Sequence, residues 1–155
     1  MTKPSLKFTS TVLDTDDVKG LSEFYLRLLD WELEKDELPY WRILRAPSGA
    51  GLSFQFEANY APPAWPAEPG QTPMQVHLDI LVQELEPAVA WAQECGATLS
   101  DFQPQDDVRV LQDPSGHPFC LYLPENLPEN LPRAELLRSA AAATTGPTPP
   151  PPRPP

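Results

Sequence analysis

Ala46-Pro47-Ser48-Gly49, followed by the apolar run Leu52–Phe56, returns 67 residues later as Asp113-Pro114-Ser115-Gly116, followed by Phe119–Leu123. A second pair of segments repeats at nearly the same distance. Phe8–Leu13 leads to the helix-patterned Gly20–Leu29, and Val76–Val82 leads to Pro87–Glu94. The chain therefore reads as two copies of one βαβββ unit, each too small to bury its own sheet face alone. The predicted fold is α+β, with two tandem modules, residues 6–58 and 74–124, forming one open half-barrel cup. A cup of that kind holds a small molecule.

Within the first module, Phe8–Leu13 reads as a strand from its β-branched and aromatic residues and ends at the acidic run Asp14–Asp17. Asp16 or Asp17 caps the helix that follows, in which Leu21, Phe24, Tyr25, Leu28 and Leu29 recur at helical spacing. Trp31–Lys35, Tyr40–Arg45 and Leu52–Glu57 supply the other strands. Five prolines from Asn59 through Pro73 preclude regular structure, so 59–73 is the connection between modules. In the second module Pro87 suits a first helical turn and Gly96 a helix end, and Thr98–Phe102, Val108–Leu111 and Pro118–Leu123 complete the sheet. Beyond it lie an extension, 125–145, with a helix predicted over Arg133–Ala143, and a proline tail, 146–155, predicted as solvated polyproline II.

Of the 155 residues, 22 are acidic and 11 basic, giving a formal charge of −11. That balance argues against a nucleic-acid partner, which requires clustered Lys and Arg. No segment approaches the roughly 18 apolar residues a membrane span needs, and Met1–Lys7 lacks the apolar stretch of a signal peptide. Cys95 and Cys120 fall on different predicted elements and do not suggest a disulfide framework. A cytoplasmic protein is the expectation.

Side chains alternate faces along a strand, so parity assigns the residues that line the cup. In the fifth strand Val76, Leu78, Ile80 and Val82 are expected to pack on the helices, leaving His77, Asp79 and Leu81 inward. In the last, Cys120 and Tyr122 face inward. In the fourth, Leu52, Phe54 and Phe56 pack while Ser53, Gln55 and Glu57 face the cup. In the first, Phe8, Ser10 and Val12 are expected to pack, and Thr9, Thr11 and Leu13 to face inward. Trp65, on the connection, is the aromatic best placed to cover the cup.

The duplicated unit, Phe24-Tyr25 with Leu28-Leu29-Asp30-Trp31, the strand Val76-His77-Leu78-Asp79, and Asp113-Pro114-Ser115-Gly116-His117-Pro118-Phe119 together resemble the vicinal oxygen chelate superfamily. That superfamily includes glyoxalase I, extradiol dioxygenases, fosfomycin-resistance transferases and bleomycin-binding proteins. The resemblance covers about residues 6–124. It implies metal ligands, usually His and Glu, on the first, fourth, fifth and last strands, at positions that fall here on Thr9, Gln55, His77 and Cys120. Only His77 matches. Thr and Gln in place of charged or imidazole donors remove most of what holds a divalent metal, so no cofactor is expected. Asp79, on the face of His77, offers an alternative with Cys120: a rebuilt His77/Asp79/Cys120 site for Zn, Fe, Mn or Ni. Asp30 stands where the family usually has Gly, and Asp tolerates the left-handed backbone needed there. His117 and Asp113 read as parts of a turn.

The resemblance thus implies a small-molecule-binding protein of the glyoxalase/bleomycin-resistance type, forming a homodimer, its ligand site drawn from Thr9, Gln55, Trp65, His77, Asp79, Cys120 and Tyr122. An acidic, aromatic cup favours a cationic or planar ligand. The alternative is a lyase or dioxygenase with His77 as general base or with the rebuilt metal site. A third reading makes the chain an interaction module displaying its proline tail.

Overall fold

The computed structural model describes residues 2–124. The extension at 125–145 and the proline tail lie outside the described residues. The elements run β1 (Thr11–Thr15), α1 (Val18–Leu29), β2 (Glu32–Glu37), β3 (Trp41–Arg45), β4 (Gly51–Phe56), β5 (Leu78–Leu81), α2 (Leu85–Cys95), β6 (Thr98–Leu99), β7 (Val108–Gln112) and β8 (Pro118–Tyr122). Two four-stranded mixed sheets result, ordered β1-β4-β3-β2 and β5-β8-β7-β6, so the second module repeats the first strand for strand. In each, the strand before the helix pairs in parallel with the last strand, and the remaining pairs are antiparallel.

Local chemistry sets the helix ends. The Asp17 side chain accepts from the Gly20 amide and caps α1, while Asp30 closes the helix in the left-handed region, φ 52°. Gly96 closes α2 at φ 121°, its amide bonding back to Ala92 and Gln93. The β2 edge, Glu-Leu-Glu-Lys-Asp-Glu, is exposed throughout, and its charges discourage pairing with another chain at that edge.

The helix-facing sides of both sheets share one core. Phe54 of β4 stacks on Tyr25 of α1 at 5.7 Å, and Phe24 of α1 reaches Phe119 of β8 at 6.1 Å, so α1 joins the two modules. Phe54 and Phe119 are fully buried, and truncating either to Ala costs about 3–5 kcal/mol. The opposite face of each sheet is left open by the helices.

The alternation expected for β4, β5 and β8 holds at their centres. Leu52, Phe54, Leu78, Ile80, Phe119 and Leu121 pack into the core, while Cys120 packs with Val108, Val110, Trp65 and Tyr122 on the open face. Two end positions differ: Val76 precedes β5 and is exposed, and Phe56, last in β4, is partly exposed against Tyr40. In β1 the expected parity is reversed. The strand begins at Thr11 rather than Phe8, and Leu13 is in the core whereas Val12 is exposed and Phe8 lies outside the strand, 83% exposed. Pairing with β4 sets this register: Leu13 lies opposite Phe54, and Val12 opposite Ser53 on the open face.

Candidate functional site

The open face of the second sheet carries the site. Parallel pairing of β5 with β8 sets Asp79 opposite Cys120, and β7 sets Val110 opposite Cys120 and Val108 opposite Tyr122. Residues opposite one another share a face, so one acid, one thiol, one phenol and two valines converge without any loop to position them. His77, two residues before Asp79, places Nε2 3.2 Å from Asp79 Oδ1. Trp65 arrives from the Pro-rich connection and lies over His77, ring centroids 5.2 Å apart, with Phe102 in edge contact at 5.7 Å. These residues other than Phe102, with Pro104 and Gln105, line a cavity of about 580 Å³.

A burial gradient runs through the cluster. Cys120 is buried, His77 half-buried, and the Asp79 side chain is 62% exposed at the mouth. Burial, reinforced by the neighbouring Asp79 carboxylate, pushes the Cys120 thiol up to about 11. The same two causes raise the Tyr122 phenol. At neutral pH Cys120 is therefore a protonated thiol, a poor nucleophile.

Thr9 and Gln55 do not join this cluster. Thr9 precedes β1 and is exposed, its carbonyl accepting from Arg45 Nη1 at 2.6 Å. Gln55 lies exposed on the first sheet, opposite Asp14 of β1 and Trp41 of β3. The four positions implied by the resemblance are thus not assembled within one chain. Among the described residues, His77, Asp79 and Cys120 are the group of imidazole, carboxylate and thiol donors that converge, all within 4.8 Å of one another.

Val108, Val110, Pro104 and Gln105 were absent from the sequence-based site. The two valines carry a readable signal, the alternation Val108-Arg109-Val110 in a strand next to β8, whereas Pro104 and Gln105 sit in a loop without periodicity. A polar network secures the connection that carries Trp65. Asp113, buried, accepts from the amides of Ser115 and His117 and meets His117 Nδ1 at 3.0 Å. His117 Nε2 lies 3.2 Å from the Tyr60 hydroxyl, which donates to the Ser115 carbonyl at 2.8 Å. His117 and Asp113 thus hold a turn, and Tyr60 ties the connection to it.

Two βαβββ modules that repeat strand for strand, with both helices against one face of the sheets, define the fold class. The chain belongs to the glyoxalase-like domain family, whose model matches residues 10–122, and with it to the vicinal oxygen chelate superfamily. Solved structures agree. A glyoxalase/bleomycin resistance protein/dioxygenase family enzyme from Burkholderia phytofirmans PsJN aligns with a TM-score of 0.57 at 20% identity, covering 74% of this chain and 96% of that one. A glyoxalase family protein from Enterococcus faecalis aligns with a TM-score of 0.57 at 18% identity, over 75% and 96%. A possible glyoxalase from Bacillus cereus aligns with a TM-score of 0.55 at 16% identity, over 76% and 99%. Likeness at such identities carries the fold and says nothing of substrate. Comparison with curated proteins gave no match.

Proposed function

We propose that this glyoxalase-like protein binds a flat aromatic or cationic small molecule between Trp65 and the open face of β5, β8 and β7. The observation that carries the reading is the Trp65 indole held over His77 beside a cavity with Asp79 at its mouth. An indole face and a carboxylate together favour a delocalised cation, and the chain's charge of −11 draws cations in at long range. Sequestering a toxic metabolite or antibiotic is the role this suits. Isothermal titration with cationic glycopeptide antibiotics and planar aromatic cations tests it. Binding is expected to weaken about 3- to 30-fold in Trp65→Leu, the equivalent of a cation–π contact. Absence of heat up to millimolar ligand rejects the antibiotic role.

Pairing of two copies belongs to the same reading. The first sheet's open face, with Val12, Ile43, Trp41 and Gln55, leaves Val12 and Gln55 exposed, which suits a homodimer. Light scattering after size exclusion tests that, and a monomer at micromolar concentration refutes it.

The contact between His77 Nε2 and Asp79 favours a second reading, a glyoxalase-like lyase with His77 as general base. Its signature is turnover abolished in His77→Gln with ligand binding retained.

A further inference from the structure

We propose that a groove between the proline connection and the last turn is the docking surface for this chain's own proline-rich tail, residues 147–155. The groove is a second cavity of about 580 Å³, lined by Pro62, Pro63, Pro66, Trp65, Glu68 and Gln112 among others. It shares only Trp65 with the cavity on the open sheet face, so the inference does not depend on what that cavity binds. The connection holds the groove's shape through its own backbone. The Ala64 amide donates to the Thr72 carbonyl at 2.8 Å, the Gln71 amide donates to the Glu68 carbonyl at 3.0 Å, and Pro62 abuts Gly116 of the last turn. A surface fixed before binding loses little entropy when it is occupied.

Chemistry and reach select the occupant. Grooves lined by aromatic rings take proline segments as preformed polyproline II helices, and seven of the nine residues from 147 to 155 are proline. Such a run offers carbonyl acceptors and almost no amide donors. The groove supplies the complement in the Trp65 indole N–H and the side-chain NH2 groups of Gln71 and Gln112. Charge matches as well, since Arg153 is the one charged side chain from 139 to 155 and Glu68 is exposed in the groove. The tetrads at 124–132 carry Glu125 and Glu129 and lack that match. Gly116, in the groove, precedes β8, and the chain leaves the described fold just past its end, so the two points are about one strand length, roughly 17 Å, apart. Residues 125–146 span about 50 Å even with a helix over Arg133–Ala143, so the tail reaches the groove. A tether of that length supplies an effective concentration of order millimolar, at which a weak contact is populated.

The test uses the full chain labelled with fluorotryptophan and read by fluorine NMR, the Trp65 signal being identified from Trp65→Phe. In a full-length variant carrying Pro150→Ser, Pro151→Ser and Arg153→Glu, the Trp65 signal is expected to move while those of Trp31, Trp41 and Trp91 stay in place. The difference is expected to be independent of protein concentration. A synthetic peptide of residues 146–155, added to that variant, is expected to return the signal, half-way at about a millimolar or below, the range the tether supplies. Glu68→Lys is expected to weaken the peptide about 1.5- to 5-fold, the equivalent of an exposed ion pair. Glu68 is exposed and the tail lies outside the described residues, so these substitutions leave the core untouched. A Trp65 signal unmoved by the tail substitutions, one that changes on dilution and so reports a second copy, an equal response to a peptide of residues 124–132, or an unchanged affinity in Glu68→Lys overturns the proposal.

Discussion

The Tyr25 hydroxyl donates to Asp113 Oδ2 at 3.0 Å, joining the helix of the first module to the last turn of the second across 88 residues of chain. Both groups are buried, and Asp113 also accepts the amides that shape its turn. Burial, with the Asp113 charge, holds the Tyr25 phenol well above its ordinary range, so it is a protonated donor at neutral pH. Tyr25→Phe removes this bond and leaves a buried carboxylate short of one partner. The expected loss is about 1.5–3 kcal/mol, read from the urea unfolding midpoint. An unchanged midpoint refutes the assignment.

Cys120 offers a second check. Burial and the Asp79 carboxylate both disfavour the thiolate, which places the thiol at about 11. Alkylation of the metal-free protein by iodoacetamide is expected to be slow at pH 7 and to accelerate toward pH 11. Asp79→Asn removes the neighbouring charge and shifts that rise to lower pH. Rapid modification of Cys120 at pH 7, located by peptide mass, contradicts the picture.

Arg42 and Asp36 govern acid behaviour on the first sheet. Arg42, nearly buried, donates from Nε and Nη2 to the two oxygens of Asp36 and from Nη1 to Ser22. The hydrogen bond from Arg42 lowers the Asp36 pKa, so the pair's stabilisation is present above the unfolded value of about 3.9 and is lost as pH falls through the folded one. Glu34, lowered by Arg45, acts in the same acid window. Urea midpoints from pH 7 to pH 3 are expected to fall at the acid end, and Asp36→Asn is expected to flatten that fall without abolishing it. A wild-type slope in the mutant counts against the pair.

Gly116 couples the last turn to the Trp65 connection. Its φ is +88°, and a Cβ added there meets Pro62 Cβ at 2.7 Å. Gly116→Ala therefore incurs left-handed strain of about 1–2 kcal/mol and displaces the connection. A lower melting temperature with a changed tryptophan emission maximum is expected, and a shift smaller than that of Gly49→Ala, which meets nothing within 4 Å, disproves the coupling.

Much of this was legible in the chain. The repeated Pro-Ser-Gly turns marked the duplication, the acidic pair Asp16-Asp17 and then Asp30 marked the ends of α1, with only the structure choosing Asp17 as the cap, and alternation in β4, β5 and β8 assigned their faces, because each is a local preference or a period of two. Alternation failed in β1. Thr9-Ser10-Thr11-Val12 has no apolar face to anchor it, so only pairing with β4 could choose between registers one residue apart.

The sequence by itself determined the paired βαβββ architecture, since hydrophobic period and turn chemistry act over a few residues, and its motifs carried the resemblance to the family. Tertiary structure alone decided which donors meet. Parallel pairing brought Cys120 from 41 positions away to Asp79, the proline connection carried Trp65 over His77, and Thr9 and Gln55 were left elsewhere. Such meetings depend on strand register and loop path, which are set by contacts between segments far apart in the chain.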